Sequence, residues 1–154
     1  LPAVVEEPDN IAARGGMQVG ACLAGIAFLK GLGLVHAISH MVGAEYDTHH
    51  GLTNAVVLPA VLRFNAPAIA EKAPAMMRAL GQPGTDFDEF YRYVCGLLDQ
   101  FQIPRTLSEL GVPESAAETL TIKALKDAAA GTNPRVSDAD SLMSVITEAI
   151  TVGR

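Results

Sequence analysis

The sequence predicts an all-α fold, and three observations support this prediction. Alanine and leucine, two strong helix formers, are the commonest residues, with 24 and 16 copies among 154 residues. Strand signals are nearly absent, because the β-branched pairs at positions 4–5 and 56–57 are short and do not alternate with polar residues. Helix caps and helix breakers divide the remainder into a series of helices. The length fits one domain spanning residues 1–154.

Capping residues, glycines and prolines place the helices of the first half. Asp9 or Asn10 is suited to cap the first helix, and Gly31 interrupts it. Pro59 is expected to kink the third helix, and Pro67 is expected to begin the fourth. The helices expected from these signals span about residues 10–30, 34–44, 51–64 and 67–81, with a loop over 45–51.

The second half shows three further helical segments. Asp86 or Asp88 is suited to cap a helix that ends near Phe101, and its apolar residues recur at helical spacing. A short turn is expected over residues 106–110, and Pro113 stands where the next helix begins. The buried face of that helix is predicted to comprise Leu120, Ala124, Leu125 and Ala128. The last helix is expected to begin with a capping-box-like pair, Ser137 and Asp140, and to end near Ile150.

Charge and composition exclude several classes of protein. The chain carries 11 Lys and Arg against 17 Asp and Glu, a net charge of −6, and its cations are scattered, which argues against a nucleic-acid surface. Two cysteines do not make a disulfide framework, so a cytoplasmic protein is expected. No uninterrupted apolar run reaches the ~18 residues of a membrane span, and the acidic first ten residues do not resemble a signal peptide.

All four histidines lie within 15 residues, at His36, His40, His49 and His50. His36 and His40 are four residues apart on a predicted helix, so they share one face at a spacing that suits two imidazoles on one metal ion. His49 and His50 are neighbours in a loop, where adjacent side chains usually point apart. The cluster therefore predicts a metal site, although a pair of histidines on one helix face is also commonly incidental.

Nearby carboxylates extend the metal hypothesis. Glu45 and Asp47 lie between the two histidine pairs, and two or three histidines with a carboxylate are typical of Fe(II) or Zn(II) sites. The catalytic glutamate of the H-E-x-x-H motif is missing, which argues against a metalloprotease. Cys22 and Cys95 are interpreted as small buried hydrophobic residues rather than as ligands. No nucleotide-binding motif is present.

Three stretches around the histidines resemble the signature of the iron-dependent (group III) alcohol dehydrogenase family. They are residues 33–44 (GLVHAISHMVGA), 48–59 (THHGLTNAVVLP) and 64–65 (FN). Residues 24–28 (AGIAF), 111–112 (GV) and 132–135 (TNPR) are also similar to the family. The resemblance implies a helical metal-binding domain, the C-terminal domain of the dehydroquinate synthase-like fold. It also implies an N-terminal α/β domain that binds NAD or NADP and that is absent from this chain.

The resemblance also assigns roles to the histidines. It implies that His36 and His50 are metal ligands, and that an Asp-x-x-x-His pair upstream of Leu1 completes the site. It places His40 near the nicotinamide and the substrate, as a catalytic residue. Spacing alone pairs His36 with His40, but we adopt the pairing from the resemblance because the similarity extends well beyond the histidines. His49 is expected at the mouth of the site rather than on the metal.

The expected function is that of the metal-binding catalytic half of an NAD(P)-dependent alcohol dehydrogenase, which interconverts an alcohol and an aldehyde or ketone. The implied cofactors are a divalent metal, iron with zinc as the alternative, and NAD or NADP bound by the missing domain. The expected partners are a small alcohol or aldehyde and further copies of the protein, without nucleic acid or membrane. This chain alone is predicted to be inactive. The alternative is a stand-alone helical metal-binding or scaffold module without dehydrogenase activity.

Overall fold

A computed structural model describes residues 1–154, and it contains only helices, 3₁₀ turns and loops. The all-α prediction is therefore confirmed. The α-helices are α1 (Pro2–Glu6), α2 (Ile11–Ala27), α3 (Gly33–Tyr46), α4 (His50–Ile69), α5 (Ala73–Ala79), α6 (Phe87–Gln100), α7 (Ala117–Ala124) and α8 (Ala139–Thr151). Single 3₁₀ turns occupy Phe28–Lys30, Ala70–Lys72, Ser108–Leu110, Glu114–Ala116 and Ala130–Thr132.

The chain forms two compact units, Leu1–Gly31 and Leu32–Arg154. The first contains α2 and the short helix α1, which the sequence signals did not predict. Asn10 caps α2 as expected, because its side chain accepts a hydrogen bond from the Ala13 backbone N–H at 2.9 Å. None of the residues of α2 is buried.

The second unit builds its core from α3, α4, α7 and α8. Each of these helices contributes apolar side chains at helical spacing, so that each buries one face against the others. Burying one large aliphatic side chain stabilises the fold by about 1.5–3 kcal/mol. The largest fully buried apolar side chains include Leu34 and Ile38 of α3, Val56 and Val57 of α4, Leu120 of α7, and Leu142, Ile146 and Ile150 of α8.

Helix α4 is longer than the prolines predict. It continues from His50 to Ile69 through both Pro59 and Pro67, so the prediction of a helix beginning at Pro67 is wrong. Buried residues on both sides of Pro59, among them Val57 and Ala60, pack into the core and hold the helix together despite the missing N–H. Prolines do occupy the first turn of two other helices, Pro2 in α1 and Pro74 in α5.

Two details of α7 and α8 differ from the prediction. Leu125 and Ala128 are exposed, because α7 ends at Ala124 and the chain leaves the helical register; Leu120 and Ala124 are buried as expected. Helix α8 has a capping box, but it consists of Asp138 and Ser141 rather than Ser137 and Asp140. Hydrogen bonds from the Ser141 hydroxyl and backbone N–H hold the pKa of Asp138 below its ordinary value.

The segment that follows α7 holds the start of α3. Thr132 Oγ1 accepts a hydrogen bond from the Gly33 N–H, and Asn133 Oδ1 accepts one from the Leu34 N–H, both at 3.2 Å. Asn133 also exchanges two hydrogen bonds with the buried amide of Asn65 in α4, at 2.7 and 3.1 Å. A helix N-terminus leaves its first N–H groups without intrahelical partners, and here they are satisfied from 99 residues away. The position of α3 is therefore fixed by tertiary contacts.

Two stretches, Ile11–Lys30 and His50–Ala79, are long and apolar enough to cross a membrane by length and composition. The expectation from uninterrupted apolar runs missed them, because Arg14 interrupts the first stretch and Arg63 interrupts the second. Core helices of soluble proteins can be as long and as apolar, and part of His50–Ala79 is buried inside the second unit. Length and composition therefore do not identify either stretch as a membrane span.

We predict that Asn133→Ala lowers the free energy of unfolding by about 1–3 kcal/mol, because it leaves the buried Asn65 amide and the Leu34 N–H without their partner. Urea denaturation of this variant, of Asn65→Ala and of the double variant measures the effect. The double variant should cost less than the sum of the two single variants. Additive costs would show that the two amides do not depend on each other.

Candidate metal and catalytic site

The structure brings three of the four histidines together. The ring centroids of His36 and His50 are 5.3 Å apart, those of His40 and His50 are 5.5 Å apart, and those of His36 and His40 are 5.8 Å apart. The rings of His40 and His50 are nearly parallel, at 16°. Spacing predicted the first helical pair and the family resemblance added His50, and all three rings form one cluster.

The hairpin of α3 and α4 creates this cluster. Asp47, the residue after α3, has a left-handed conformation with φ of 51°, and it reverses the chain after Tyr46. The hydroxyls of Thr48 and Thr53 are hydrogen-bonded at 2.7 Å, which links the loop to the first turn of α4. His36 in the first turn of α3 and His50 at the start of α4, 14 positions apart in sequence, therefore lie with their ring centroids 5.3 Å apart.

Asn54 shows that two of the rings point toward one place. Its Nδ2 lies 3.0 Å from Nε2 of His50 and 3.4 Å from Nε2 of His36. Two neutral imidazoles whose Nε2 atoms approach one point offer two nitrogen ligands, as iron and zinc sites use. The Asn54 Oδ1 atom is buried and has no hydrogen-bond partner. These donor atoms fit part of the coordination shell of a divalent ion.

His36 is held in the neutral form that metal binding requires. Burial lowers the pKa of His36, and its neighbours His50 and His40 lower that pKa further. The Leu32 backbone opposes this shift in the pKa of His36 but does not cancel it. Only an unprotonated nitrogen can bind a metal, so the lowered pKa keeps His36 available over a wider pH range.

His40 is oriented differently from the other two histidines. Its Nδ1 atom lies 2.9 Å from Oδ2 of Asp127. Asp127 belongs to the segment that connects α7 to the 3₁₀ turn Ala130–Thr132. Burial by itself would raise the pKa of Asp127, but hydrogen bonds from His40 and from the Ala129 N–H outweigh it and hold that pKa below its ordinary value. The Asp127 side chain is therefore an ionised carboxylate at neutral pH.

His49 has a structural role that the sequence analysis did not anticipate. It is the N-cap of α4, and its Nδ1 accepts a hydrogen bond from the Leu52 backbone N–H at 3.3 Å. A side-chain acceptor at this position satisfies one of the helix's first N–H groups. The ring of His49 is thus engaged with the backbone of its own helix.

The remaining sequence candidates lie apart from the cluster. Glu45 forms an ion pair with Lys123, and Asp47 is exposed at the end of α3. Cys22 is exposed and Cys95 is half-buried, so the prediction that both are buried is wrong. No group of three or more His, Cys, Asp or Glu side chains in this chain has an arrangement that could hold a metal ion.

Sequence reasoning missed two residues of the site. Asn54 is part of the stretch that carries the family resemblance, and its position one turn after His50 is a signal that could have been used. Asp127 lies 87 residues from His40, and nothing in the sequence links the two. Only the packing of the segment after α7 against α3 brings them together.

Comparison with known proteins places this chain in a family. A family model described as "Fe-containing alcohol dehydrogenase family, C-terminal" matches residues 1–150. The chain belongs to this family. The NAD-dependent methanol dehydrogenase of Bacillus methanolicus is 34% identical over 157 residues, which covers 97% of this chain and 41% of that protein. The 1,3-propanediol dehydrogenase of Klebsiella pneumoniae is 34% identical over 148 residues, covering 92% of this chain and 38% of that protein.

A solved structure of the same family has the same helical fold. The crystal structure of 1,3-propanediol oxidoreductase superposes with a TM-score of 0.90 at 33% identity, over 96% of this chain and 40% of that chain. The chain therefore spans about two fifths of the length of the relatives it matches, and it corresponds to the C-terminal domain of the Fe-containing alcohol dehydrogenases. The resemblance stated from the histidine-rich stretches is confirmed.

We predict that His49→Ala lowers the free energy of unfolding by about 1 kcal/mol, because α4 loses its cap. His49→Asn should cost much less, since asparagine is among the strongest N-cap residues. Urea denaturation of both variants measures the difference. Equal losses for the alanine and asparagine variants would contradict the capping role.

Proposed function

We propose that this chain is the metal-binding catalytic part of an NAD(P)-dependent alcohol dehydrogenase that interconverts an alcohol and an aldehyde or ketone. The observation that carries the proposal is the approach of Nε2 of His36 and Nε2 of His50 to one point, beside the ring of His40. The family supports it, because the relatives compared above are named as dehydrogenases of methanol and of 1,3-propanediol.

In this proposal His36 and His50 hold the metal. Iron is the expected ion, and zinc is the alternative, because imidazole nitrogens suit both. When bound, the divalent ion supplies Lewis acidity toward the substrate oxygen and the nicotinamide supplies the hydride acceptor. Two ligands do not complete a coordination shell, so the remaining ligands come from outside this chain. The family resemblance implies an Asp-x-x-x-His pair upstream.

The other residues of the cluster orient these groups. Asn54 contacts Nε2 of both proposed ligands. His40 is held by Asp127 instead of by Asn54, and its side chain is 36% exposed, so a substrate or cofactor can reach it. We assign to His40 the transfer of a proton at the reacting centre. The active protein is proposed to be a cytoplasmic homo-oligomer.

Substitution of each histidine in the intact polypeptide tests these roles. We predict that His36→Ala and His50→Ala lose the metal, whereas His40→Ala keeps the metal and slows turnover by about 10²–10⁴-fold, the usual contribution of a general acid or base. Elemental analysis and alcohol oxidation assays measure the two effects. His49→Asn is the matched control and should retain both metal and turnover. Loss of metal from His40→Ala would show that the ligands are assigned wrongly.

The comparison of this chain with the intact polypeptide tests where the site is completed. We predict near-stoichiometric iron or zinc and alcohol oxidation in the intact protein, with weak metal binding and no turnover in the 154-residue chain. Metal content by elemental analysis is the measurement. Stoichiometric metal in the isolated chain would instead favour the alternative, a stand-alone helical metal-binding or scaffold module.

A further inference from the structure

The carboxylate of Asp127 is fully engaged by two different groups. Its Oδ2 lies 2.9 Å from His40 Nδ1, and its Oδ1 accepts the Ala129 N–H at 2.8 Å. The Asp127 side chain is 16% exposed, against 36% for His40. The carboxylate is thus fixed by its own backbone turn, and it reaches His40 from a different part of the fold.

This contact selects one tautomer of His40. A neutral imidazole carries one N–H donor and one unprotonated nitrogen, whereas an ionised carboxylate can only accept hydrogen bonds. The proton of neutral His40 must therefore lie on Nδ1, and Nε2 must carry the lone pair. We propose that Asp127 is a positioning residue that fixes His40 with Nε2 unprotonated, so that Nε2 is the proton acceptor presented to the substrate or cofactor.

The stability of the ion pair does not explain the arrangement by itself. His40 is more than one third exposed, and pairs that are exposed to this extent contribute little to folding because water screens them. The contact can instead act on the orientation of the His40 ring and on which of its two nitrogens carries the proton. Asp127 supplies both through a backbone-anchored carboxylate, as an aspartate does for the base of a catalytic triad. This inference rests on the proposed role of His40 in turnover.

The Asp127→Asn variant tests the inference with little change in shape. The amide oxygen of asparagine can still accept the Ala129 N–H, whereas its NH₂ group faces His40 and can only donate. Long-range ¹H–¹⁵N NMR of the chain, at a pH where His40 is neutral, reports which ring nitrogen carries the proton. We expect Nδ1–H in the unsubstituted chain and Nε2–H in Asp127→Asn.

Two further variants serve as controls. Asp127→Glu, which keeps the carboxylate, should retain the Nδ1–H form. Asp88→Asn, at an exposed position in the first turn of α6, is the control and should leave the tautomer unchanged.

Turnover in the intact polypeptide provides the second measurement. Asp127→Asn should reduce turnover by about 10- to 100-fold with metal content unchanged, as loss of an orienting partner commonly does. An unchanged tautomer in Asp127→Asn, or Nε2–H in the unsubstituted chain, would overturn the inference. A switched tautomer with full turnover, when His40→Ala is slow, would also overturn the positioning role. Full turnover in both Asp127→Asn and His40→Ala would instead overturn the proposed function of His40.

Discussion

The pair of amides formed by Asn65 and Asn133 is the contact on which the site depends. It joins α4 to the segment after α7. Asn133 and Thr132 also accept hydrogen bonds from the first two N–H groups of α3. Each of these groups would carry a cost if it were buried without a partner. Because one side chain satisfies several of them at once, it holds the start of α3 in position against α4. That position brings His36, His40 and His50 within 6 Å of one another.

The segment from Asp127 to Asn133 therefore serves the site in two ways. At its end, Asn133 accepts a hydrogen bond from the backbone of α3. At its beginning, the Asp127 carboxylate is hydrogen-bonded to Nδ1 of His40 on the same helix. The two contacts are separated by about 1.7 turns of α3, so the segment holds both the start of the helix and one of its histidines. Positioning of the helix and chemistry at the proposed site are thus linked through one loop.

The four histidines differ in their hydrogen-bond partners, and their proposed roles follow from this difference. His36 and His50 share Asn54, whereas His40 turns to Asp127, and His49 caps its own helix. Four residues of the same type within 15 positions are thereby given different environments. His36 and His50 each place Nε2 within 3.4 Å of Asn54 Nδ2, and their proposed role as ligands rests on this approach. The chain covers about two fifths of the relatives it matches.

The helical class, most helix boundaries and the family could be predicted from the amino-acid sequence, because these depend on local preference and on stretches of consecutive residues such as 48–59. The sequence also placed His36 and His40 on one helix face, since that follows from four-residue spacing. The continuation of α4 through Pro67, the capping role of His49 and the contact of Asp127 with His40 became visible only in the folded chain. Burial of α4 in the core outweighs the local proline signal, and a hydrogen bond across 87 residues leaves no local pattern in the sequence.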